Sequence, residues 1–255
     1  MYGICLLSQV PCRKESSDKS EMVTQLLFGE VYTVLETTEK WIKITTHFDA
    51  YECWICIKQH TTLSEKEFKE ITASPPPLSN ELVQILEENN EYIPIVLGSA
   101  LPLLKNKKMT IGDRTFSFDG SLLESAAPEK RKILEYAFMY LNAPYLWGGK
   151  SPFGMDCSGF TQMVYKLSNV MLPRDAYQQA EHGVACSFVE EAQAGDLAFF
   201  DNEAGKIVHV GIVMGDGQII HASGKVRIDT LDHQGIFNRD LNQYTHRLRI
   251  IKNLF

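Results

Sequence analysis

The chain has 255 residues, of which 44% are hydrophobic, and its 32 acidic and 25 basic side chains give a formal net charge of −7 at pH 7. A chain of this length is expected to form two domains, or one catalytic domain with small added modules. The acidic balance argues against nucleic acid or an anionic membrane surface as the main partner, because both require a basic contact surface. Small or cationic ligands remain compatible with it.

The six cysteines of the chain do not require a disulfide framework, because a chain this long can build its own hydrophobic core. The first residues contain no basic region and too short an apolar run for a signal peptide. No apolar run approaches the roughly 18 residues of a membrane-spanning helix. If Met1 is the natural start, we expect a cytoplasmic protein that does not span a membrane.

The first third of the chain alternates short β-branched or aromatic runs with polar turns. Four such runs are found, at residues 22–27, 31–35, 41–44 and 51–57. This pattern predicts a small β-barrel. A helix-compatible stretch at 65–71 is followed by three consecutive prolines at 75–77, which stiffen the chain and lack backbone donors. We therefore predict a first domain at residues 1–74.

A second group of short strands is predicted at residues 82–86, 93–97, 108–111 and 115–118. Its length is similar to that of the first group, so it is interpreted as a second barrel module, at residues 75–125, although no residue-level repeat is visible. Ser125 and Pro128 then signal the start of a helix. Apolar residues between 133 and 141 have helical spacing, and a third domain is predicted at 126–255.

A Gly- and Pro-rich loop at residues 142–156 leads into a predicted helix that contains a candidate nucleophile. Apolar side chains with helical spacing at 160, 163, 164 and 167 place the helix start just before them. Cys157 then lies in the first turn, where unpaired N–H groups and the helix dipole favour a thiolate. We therefore expect a lowered pKa for the Cys157 thiol. The alternative is a buried cysteine that acts as a small hydrophobic residue.

Two histidines near the C-terminus are candidates for a base and its partner. Residues 209–214 and 218–222 read as strands joined through a Gly-Asp-Gly turn. A two-residue loop would place His221 opposite Ile212, whereas a three-residue loop places it opposite Gly211, diagonal to His209 at about 7–8 Å between Cα atoms. We predict the three-residue loop, with His221 orienting the ring of His209. The alternative is a core histidine at 209 and a surface histidine at 221.

Five motifs accompany these candidates: Asp156-Cys157-Ser158-Gly159-Phe160, Tyr145-x-Trp147-Gly148-Gly149, Pro173-Arg174-Asp175, Gly195-Asp196-Leu197 and the histidine hairpin. Together they resemble the NlpC-type papain-like cell-wall peptidases over about residues 128–255. The resemblance implies an α+β papain-like domain with Cys157 as nucleophile, His209 as base and His221 as the third, orienting residue. The family cleaves peptidoglycan stem peptides, commonly between γ-D-glutamate and a diamino acid. No cofactor and no metal are implied.

A narrower resemblance is to the γ-D-glutamyl-L-diamino acid endopeptidases, the dipeptidyl-peptidase VI subgroup. It rests on residues 13–15, 20–30 and 51–54 of the first module. It implies a papain-like α+β domain preceded by two small SH3-like β-barrels, with polar residues that capture the free amine of an N-terminal L-Ala. The implied substrate-binding residues are Asp156 and Ser158 as amine ligands, Tyr145 and Trp147 in the pocket, and Glu15 and Tyr51 from the barrel.

The expected substrate is a murein-derived peptide, L-Ala-γ-D-Glu-diamino acid. A buried Asp156 carboxylate without an ammonium partner would be costly, so we expect rejection of peptides with an acylated N-terminus. This favours trimming of free stem peptides in turnover or recycling. Arg174 and Asp175 either shape the pocket or form a structural ion pair.

Two other functions stay open at this stage. One is an amidase or an endopeptidase that acts on intact peptidoglycan, and the other is a non-catalytic peptide-binding module. Neither the identity of the diamino acid (lysine or diaminopimelate), nor the preferred peptide length, nor the oligomeric state follows from the sequence.

The chain departs from the subgroup at two positions. Ala176 stands where a small hydroxyl residue is common, and Cys53 replaces a glycine. Cys53 and Cys56 form a Cys-x-x-Cys sequence, with His47 and His60 nearby. Because residues three apart in a strand point to opposite faces, we interpret both cysteines as structural thiols rather than a metal or redox site.

Overall fold

The computed structural model describes residues 1–123 and 127–255. The chain divides into two compact units, Met1–Ala126 and Ala127–Phe255. The predicted boundary between the second and third domains, and the helix start predicted at Ser125, lie outside the described residues. Within the described residues, no helix is long and apolar enough to cross a membrane.

The first sheet of the first unit contains seven antiparallel strands. In chain order its elements are β1 (Tyr2–Ile4), β2 (Gln9–Arg13), β3 (Met22–Leu27), β4 (Val31–Thr37), β5 (Trp41–Thr46), β6 (Glu52–Cys56), a 3-10 helix (Ile57–Gln59), β7 (Thr61–Leu63) and helix α1 (Glu65–Thr72). The strand order is β3-β2-β6-β5-β4-β1-β7. All four predicted strands and the helix are present, while β1, β2 and β7 were not predicted.

Helix α1 begins at a capping box. The Ser64 hydroxyl accepts a hydrogen bond from the Glu67 N–H at 3.2 Å, and the Glu67 carboxylate accepts one from the Ser64 N–H at 2.9 Å. These contacts satisfy donors that the helix itself leaves unpaired. The other oxygen of Glu67 accepts the N–H of Gly112 at 3.0 Å, which ties the helix to the chain beyond the three prolines.

The second group of strands in this unit forms a smaller antiparallel sheet. Its elements are β8 (Leu78–Ser79), β9 (Val83–Glu88), β10 (Glu91–Val96), β11 (Lys108–Ile111), β12 (Arg114–Phe118) and β13 (Leu122–Leu123). The order is β10-β9-β12-β11, and β8 pairs separately with β13. The four predicted strands are present. That this module is a second copy of the barrel stays a prediction.

One apolar cluster contains side chains from both sheets of the first unit. The Phe28 ring, which lies between β3 and β4, meets the Phe116 ring of β12 edge to face, with centroids 5.5 Å apart. Both rings are fully buried, and the same cluster includes Ile4 and Leu101. The predicted boundary at residue 74 therefore separates two sheets that share a core.

The second unit combines a curved antiparallel sheet with helices. Its elements are α2 (Lys132–Met139), β14 (Lys150–Ser151), β15 (Gly154–Met155), α3 (Cys157–Leu167), α4 (Ala176–Gln179), β16 (Val184–Cys186), a 3-10 helix (Val189–Glu191), β17 (Leu197–Asp201), β18 (Ile207–Gly215), β19 (Gln218–Ser223), β20 (Lys225–Leu231), β21 (Gly235–Asn238) and β22 (Gln243–Asn253). The sheet order is β16-β22-β17-β18-β19-β20-β21, and β21 also pairs with β22, which closes a ring of strands. The predicted α+β class is confirmed.

Helix α3 is the central helix of this unit. All of its residues are buried, and it packs against β18, β19 and α2. The Asp156 side chain caps it by accepting the N–H of Gly159 at 2.7 Å. Helix α2, predicted from Ser125 onward, begins only at Lys132.

The shared core of the first unit predicts the effect of truncating Phe116. Phe116→Ala removes a fully buried ring and leaves a cavity, so we expect the unit to lose about 3–5 kcal/mol of unfolding free energy. Hydrogen exchange measured by mass spectrometry should show faster exchange in strands of both sheets. Tyr92→Ala, on an exposed side chain of β10, is the control. Faster exchange confined to residues 83–118 would contradict a shared core.

Candidate active site

Cys157 is the first residue of α3, as predicted, and is buried. Close backbone contacts hold the preceding loop against the helix start. A Cβ atom on Gly159 would lie 2.3 Å from the Gly149 carbonyl oxygen, and one on Gly149 would lie 2.3 Å from the Gly154 carbonyl oxygen. Only glycine permits such approaches, which explains the glycine content of this loop.

The expected lowering of the Cys157 pKa is wrong. Burial, followed by the charge of the nearby Asp156 carboxylate, raises the pKa of this thiol to about 12. Hydrogen bonds from the N–H groups of Val210 and Ser158, together with the charge of Arg174, act in the opposite direction but do not compensate. Desolvation of the charged form therefore outweighs the helix start, and the resting residue is a thiol.

The histidine hairpin has the predicted register but a different turn. His221 lies opposite Gly211, as expected from a three-residue loop. The turn itself contains two residues, Asp216 and Gly217, with φ values of 50° and 67°, as in a type I′ turn. A bulge between Val213 and Gly215 adds the extra residue that shifts the register.

This register joins the two histidines directly. His209 Nε2 and His221 Nδ1 are 2.8 Å apart, and both side chains are buried. Gly211 leaves the space for this contact, because a Cβ on it would lie 2.8 Å from the Cβ of His221. The predicted orientation of His209 by His221 is thus present in the geometry.

Asp229 on β20 extends the chain of contacts and was missed from the sequence. His221 Nε2 is 3.0 Å from Asp229 Oδ2. Arg227 contacts both carboxylate oxygens, at 2.8 and 2.9 Å, and also contacts Asp240 at 2.8 Å. Strand alternation in residues 225–231 was the available signal, since it places Arg227 and Asp229 on the face that carries His221.

His246 on β22 was also missed. Its ring stacks on that of His209, with centroids 4.0 Å apart and planes 25° apart. Burial, followed by the proximity of His221, lowers the pKa of His246 to about 4. It is therefore a neutral ring that covers one face of His209 at neutral pH.

The three imidazoles of His209, His221 and His246 offer nitrogens within 4.8 Å of one another, the spacing of a metal-ligand cluster. The lone pairs of an imidazole lie in the ring plane. Because two of the rings are stacked, their lone pairs lie in nearly parallel planes and do not converge on a single cation. The arrangement is that of a hydrogen-bonded pair with a stacked neighbour.

Asp156 already has a cationic partner, contrary to expectation. Its carboxylate accepts hydrogen bonds from the buried Arg174 guanidinium at 2.6 and 3.0 Å and from the Gly148 N–H at 2.8 Å. Arg174 also donates to the Ser158 hydroxyl at 2.9 Å. Arg174 therefore forms a structural ion pair, one of its two predicted roles, and its partner is Asp156. Asp175 caps α4.

The other predicted binding residues occupy different settings. Tyr145 is half-buried beside Cys157, and burial, followed by that neighbour, raises its pKa to about 12. Trp147 is 59% exposed. Glu15 is exposed and Tyr51 half-buried, both in the first unit. Their roles in binding substrate stay predictions.

The Cys-x-x-Cys sequence lies on β6. Cys53 points into the core of the first sheet, and Cys56 is on the other face and partly exposed. His60 Nδ1 is 3.0 Å from the Tyr32 hydroxyl, and the ring of His47 packs edge-on against an aromatic neighbour. These contacts are those of structural packing.

Comparisons with known proteins cover both units. The NlpC/P60 family matches residues 142–245, and the bacterial dipeptidyl-peptidase SH3 domain matches residues 12–59. The chain is 31% identical over 231 residues to the gamma-D-glutamyl-L-lysine dipeptidyl-peptidase of Bacillus cereus, a match that covers 81% of this chain and 68% of that protein. The chain belongs to the NlpC/P60 family. The Bacillus subtilis protein of the same name is 30% identical over 238 residues, covering 86% of this chain and 78% of its own length.

The crystal structure of an NlpC/P60 family protein from Bacillus cereus has the same fold, with a TM-score of 0.85 at 24% identity, covering 100% of this chain and 99% of that one. The family match includes Cys157, His209 and His221. The protein is a cysteine peptidase of this family, and the two Bacillus relatives are named as dipeptidyl-peptidases.

Gly211→Ala tests the contact between the histidines. The new Cβ would lie 2.8 Å from His221 Cβ and from Ile219 Cδ1, so His221 must move away from His209. We expect kcat for peptide hydrolysis to fall about 100-fold. Val208→Ala, at an exposed position of the same strand, should keep wild-type kcat. Full activity in a folded Gly211→Ala enzyme would show that close packing here is not required.

The pH profile of activity tests the predicted role of His209 as the base. Burial, with His221 and His246 next, holds the pKa of His209 well below its usual value of 6.5. Only the neutral ring can accept a proton, so activity should be lost as pH falls through this lowered pKa, and kcat/KM should still be high at pH 6. His246→Phe keeps a stacked ring and the contact with His221 but removes the smallest of the three causes, so its acid limb should move slightly to higher pH and keep a midpoint below 6.5. If half of kcat/KM were already lost at pH 6.5 or above, the lowered pKa of His209 or its role as the base would be contradicted.

Proposed function

We propose that this peptidase hydrolyses the bond between γ-D-glutamate and the L-diamino acid in free murein stem peptides whose N-terminal L-Ala is unblocked. The main support for this proposal comes from two relatives named as gamma-D-glutamyl-L-lysine dipeptidyl-peptidases. They match 81% and 86% of this chain, including parts of both units. A dipeptidyl-peptidase removes two residues from a free N-terminus. In L-Ala-γ-D-Glu-diamino acid, that position is the bond after D-Glu. The proposed role is turnover or recycling of cell-wall peptides.

In the first chemical step, Cys157 attacks the γ-carbonyl of D-Glu. The raised pKa of the thiol and the lowered pKa of His209 favour a neutral pair at rest, so the proton leaves sulfur for His209 as the S–C bond forms. His209 then protonates the amine of the diamino acid as the C–N bond breaks. The product of this step is a thioester on Cys157.

Water completes the reaction. His209, again neutral, takes a proton from water, which attacks the thioester and releases L-Ala-D-Glu and the thiol. We assign the Cys157 backbone N–H to the oxyanion hole, because the first N–H groups of a helix have no partner within it.

The subgroup resemblance also supports substrate-binding roles for residues other than Cys157, His209 and His221. Tyr145 and Trp147 are proposed to line the pocket, and Glu15 and Tyr51 are proposed to bind the substrate from the first unit. Asp156 and Ser158 are held by Arg174, so their proposed role is to shape the amine-binding end rather than to supply an unpaired negative charge.

Endopeptidase action on intact peptidoglycan is the second candidate. It is favoured by the Asp156–Arg174 ion pair, because a carboxylate that already has a cation does not need a substrate ammonium group. In intact peptidoglycan the L-Ala amine is acylated. A peptidase without an amine requirement would accept such peptides.

The deciding experiment compares L-Ala-γ-D-Glu-L-Lys with its N-acetylated form, with products identified by mass spectrometry. We expect release of L-Ala-D-Glu from the free peptide, with kcat/KM at least roughly 100-fold above that for the acetylated form. Cys157→Ala, the control, should release nothing. Equal cleavage of both peptides would reject the amine requirement and support the second candidate.

A further inference from the structure

Asp229 lies at the end of the hydrogen-bond chain that begins at His209. We propose that Asp229 is a positioning residue that fixes the tautomers of His221 and His209, so that His209 presents an unprotonated Nδ1 to Cys157. The inference rests on the proposed function only in taking His209 as the base for Cys157.

The contact between His209 and His221 can be made in two ways. It joins His209 Nε2 to His221 Nδ1 at 2.8 Å, and a neutral imidazole carries a proton on one nitrogen only. Either His209 donates from Nε2, which leaves its Nδ1 bare, or His221 donates from Nδ1, which puts the proton of His209 on its Nδ1. The two tautomer pairs have the same heavy-atom geometry, so the pair alone does not select between them.

The ring nitrogen that remains for Cys157 is Nδ1 of His209, since Nε2 is taken by His221. The Cys157 sulfur accepts the N–H of Val210, the residue that follows His209 on β18. The first alternative gives a base with a lone pair on Nδ1. The second gives a ring with a proton there, which cannot accept the proton of the thiol.

Asp229 selects the first alternative because an ionised carboxylate only accepts hydrogen bonds. Burial alone would raise the pKa of Asp229, but hydrogen bonds from His221 and Arg227 lower it, and the net shift is downward. Arg227 contacts both carboxylate oxygens and is itself held by Asp240. The carboxylate is thus kept ionised and fixed in orientation.

The ionised Asp229 carboxylate sets the direction of each hydrogen bond between it and His209. His221 must donate from Nε2 to Asp229, 3.0 Å away, so its Nδ1 is an acceptor. His209 must then donate from Nε2, and its Nδ1 is bare. When the thiol proton moves to Nδ1, the resulting imidazolium is joined through His221 to a carboxylate, which stabilises the positive charge.

Asp229→Asn tests the inference, since asparagine has a similar shape but can donate as well as accept. We expect kcat for peptide hydrolysis to fall about 10²- to 10⁴-fold, as for a triad in which the wrong histidine tautomer becomes accessible. Asp201→Asn is the matched control. Its carboxylate is equally buried, with 2% exposure, and its ion pairs among the described residues are with Arg247 at 2.7 Å and Arg249 at 3.9 Å. It should keep near-wild-type kcat. Asp229→Glu should recover part of the activity.

Histidine tautomers are read directly from ¹⁵N NMR of labelled enzyme. The wild-type spectrum should show His209 and His221 both protonated on Nε2, and Asp229→Asn should show His209 partly protonated on Nδ1. A wild-type His209 that carries its proton on Nδ1 overturns the proposal without any variant.

Alkylation of Cys157 by iodoacetamide, followed by mass spectrometry of its peptide, provides a readout without substrate. It should be slower in Asp229→Asn than in both wild type and Asp201→Asn. Unchanged tautomers and an unchanged alkylation rate in Asp229→Asn would overturn the role of Asp229. Alkylation that depends on Asp229, with no cleavage of the stem peptide, would support that role and reject the substrate assignment.

Discussion

The hydrogen bond between His209 and His221 depends on a single extra residue in a β-hairpin. Without the bulge near Val213, a two-residue turn would direct the two side chains to opposite faces of the sheet. With it, both rings lie on the buried face, where Gly211 leaves space between them. Helix α3, which carries the proposed nucleophile Cys157, packs against the strand of His209. The site therefore depends on a register that the turn and the bulge set together.

Burial sets the protonation states of Cys157 and His209 at this site. It raises the pKa of the thiol and lowers the pKa of the imidazole, so both members of the pair are neutral in the resting enzyme. A neutral pair needs a lone pair on the correct ring nitrogen, whereas a preformed ion pair would not. In our proposal, the buried Asp229 carboxylate meets this requirement by fixing the protons of the two histidines. Asp156 is also buried and acidic, but it forms an ion pair with Arg174 and caps α3.

Much of this architecture followed from local patterns, and the failures have physical causes. Strand alternation and turn residues located the predicted strands of the first unit, and helical spacing placed Cys157 at the start of α3. Strands β1 and β7 have three residues each, too few for a recognisable alternation, and β2 contains Pro11, which weakens a strand signal. The pKa of Cys157 was predicted from the helix dipole, which is visible in the sequence, whereas the opposing desolvation depends on tertiary packing. Asp229 on β20 and His246 on β22 reach the site through the pairing of β20 with the histidine hairpin and of β22 with its neighbour β17, and that pairing is a tertiary property.

The shared core of the first unit limits how the protein can be dissected. Phe28 and Phe116 belong to different sheets but fill the same apolar interior, and Glu67 of α1 binds the backbone of Gly112. A chain cut at the three prolines would give two fragments, each exposing half of that interior to water. Excision of the smaller sheet, or its exchange for another module, would therefore require compensating polar substitutions on the remaining face. The two sheets of the first unit are therefore structurally dependent on each other.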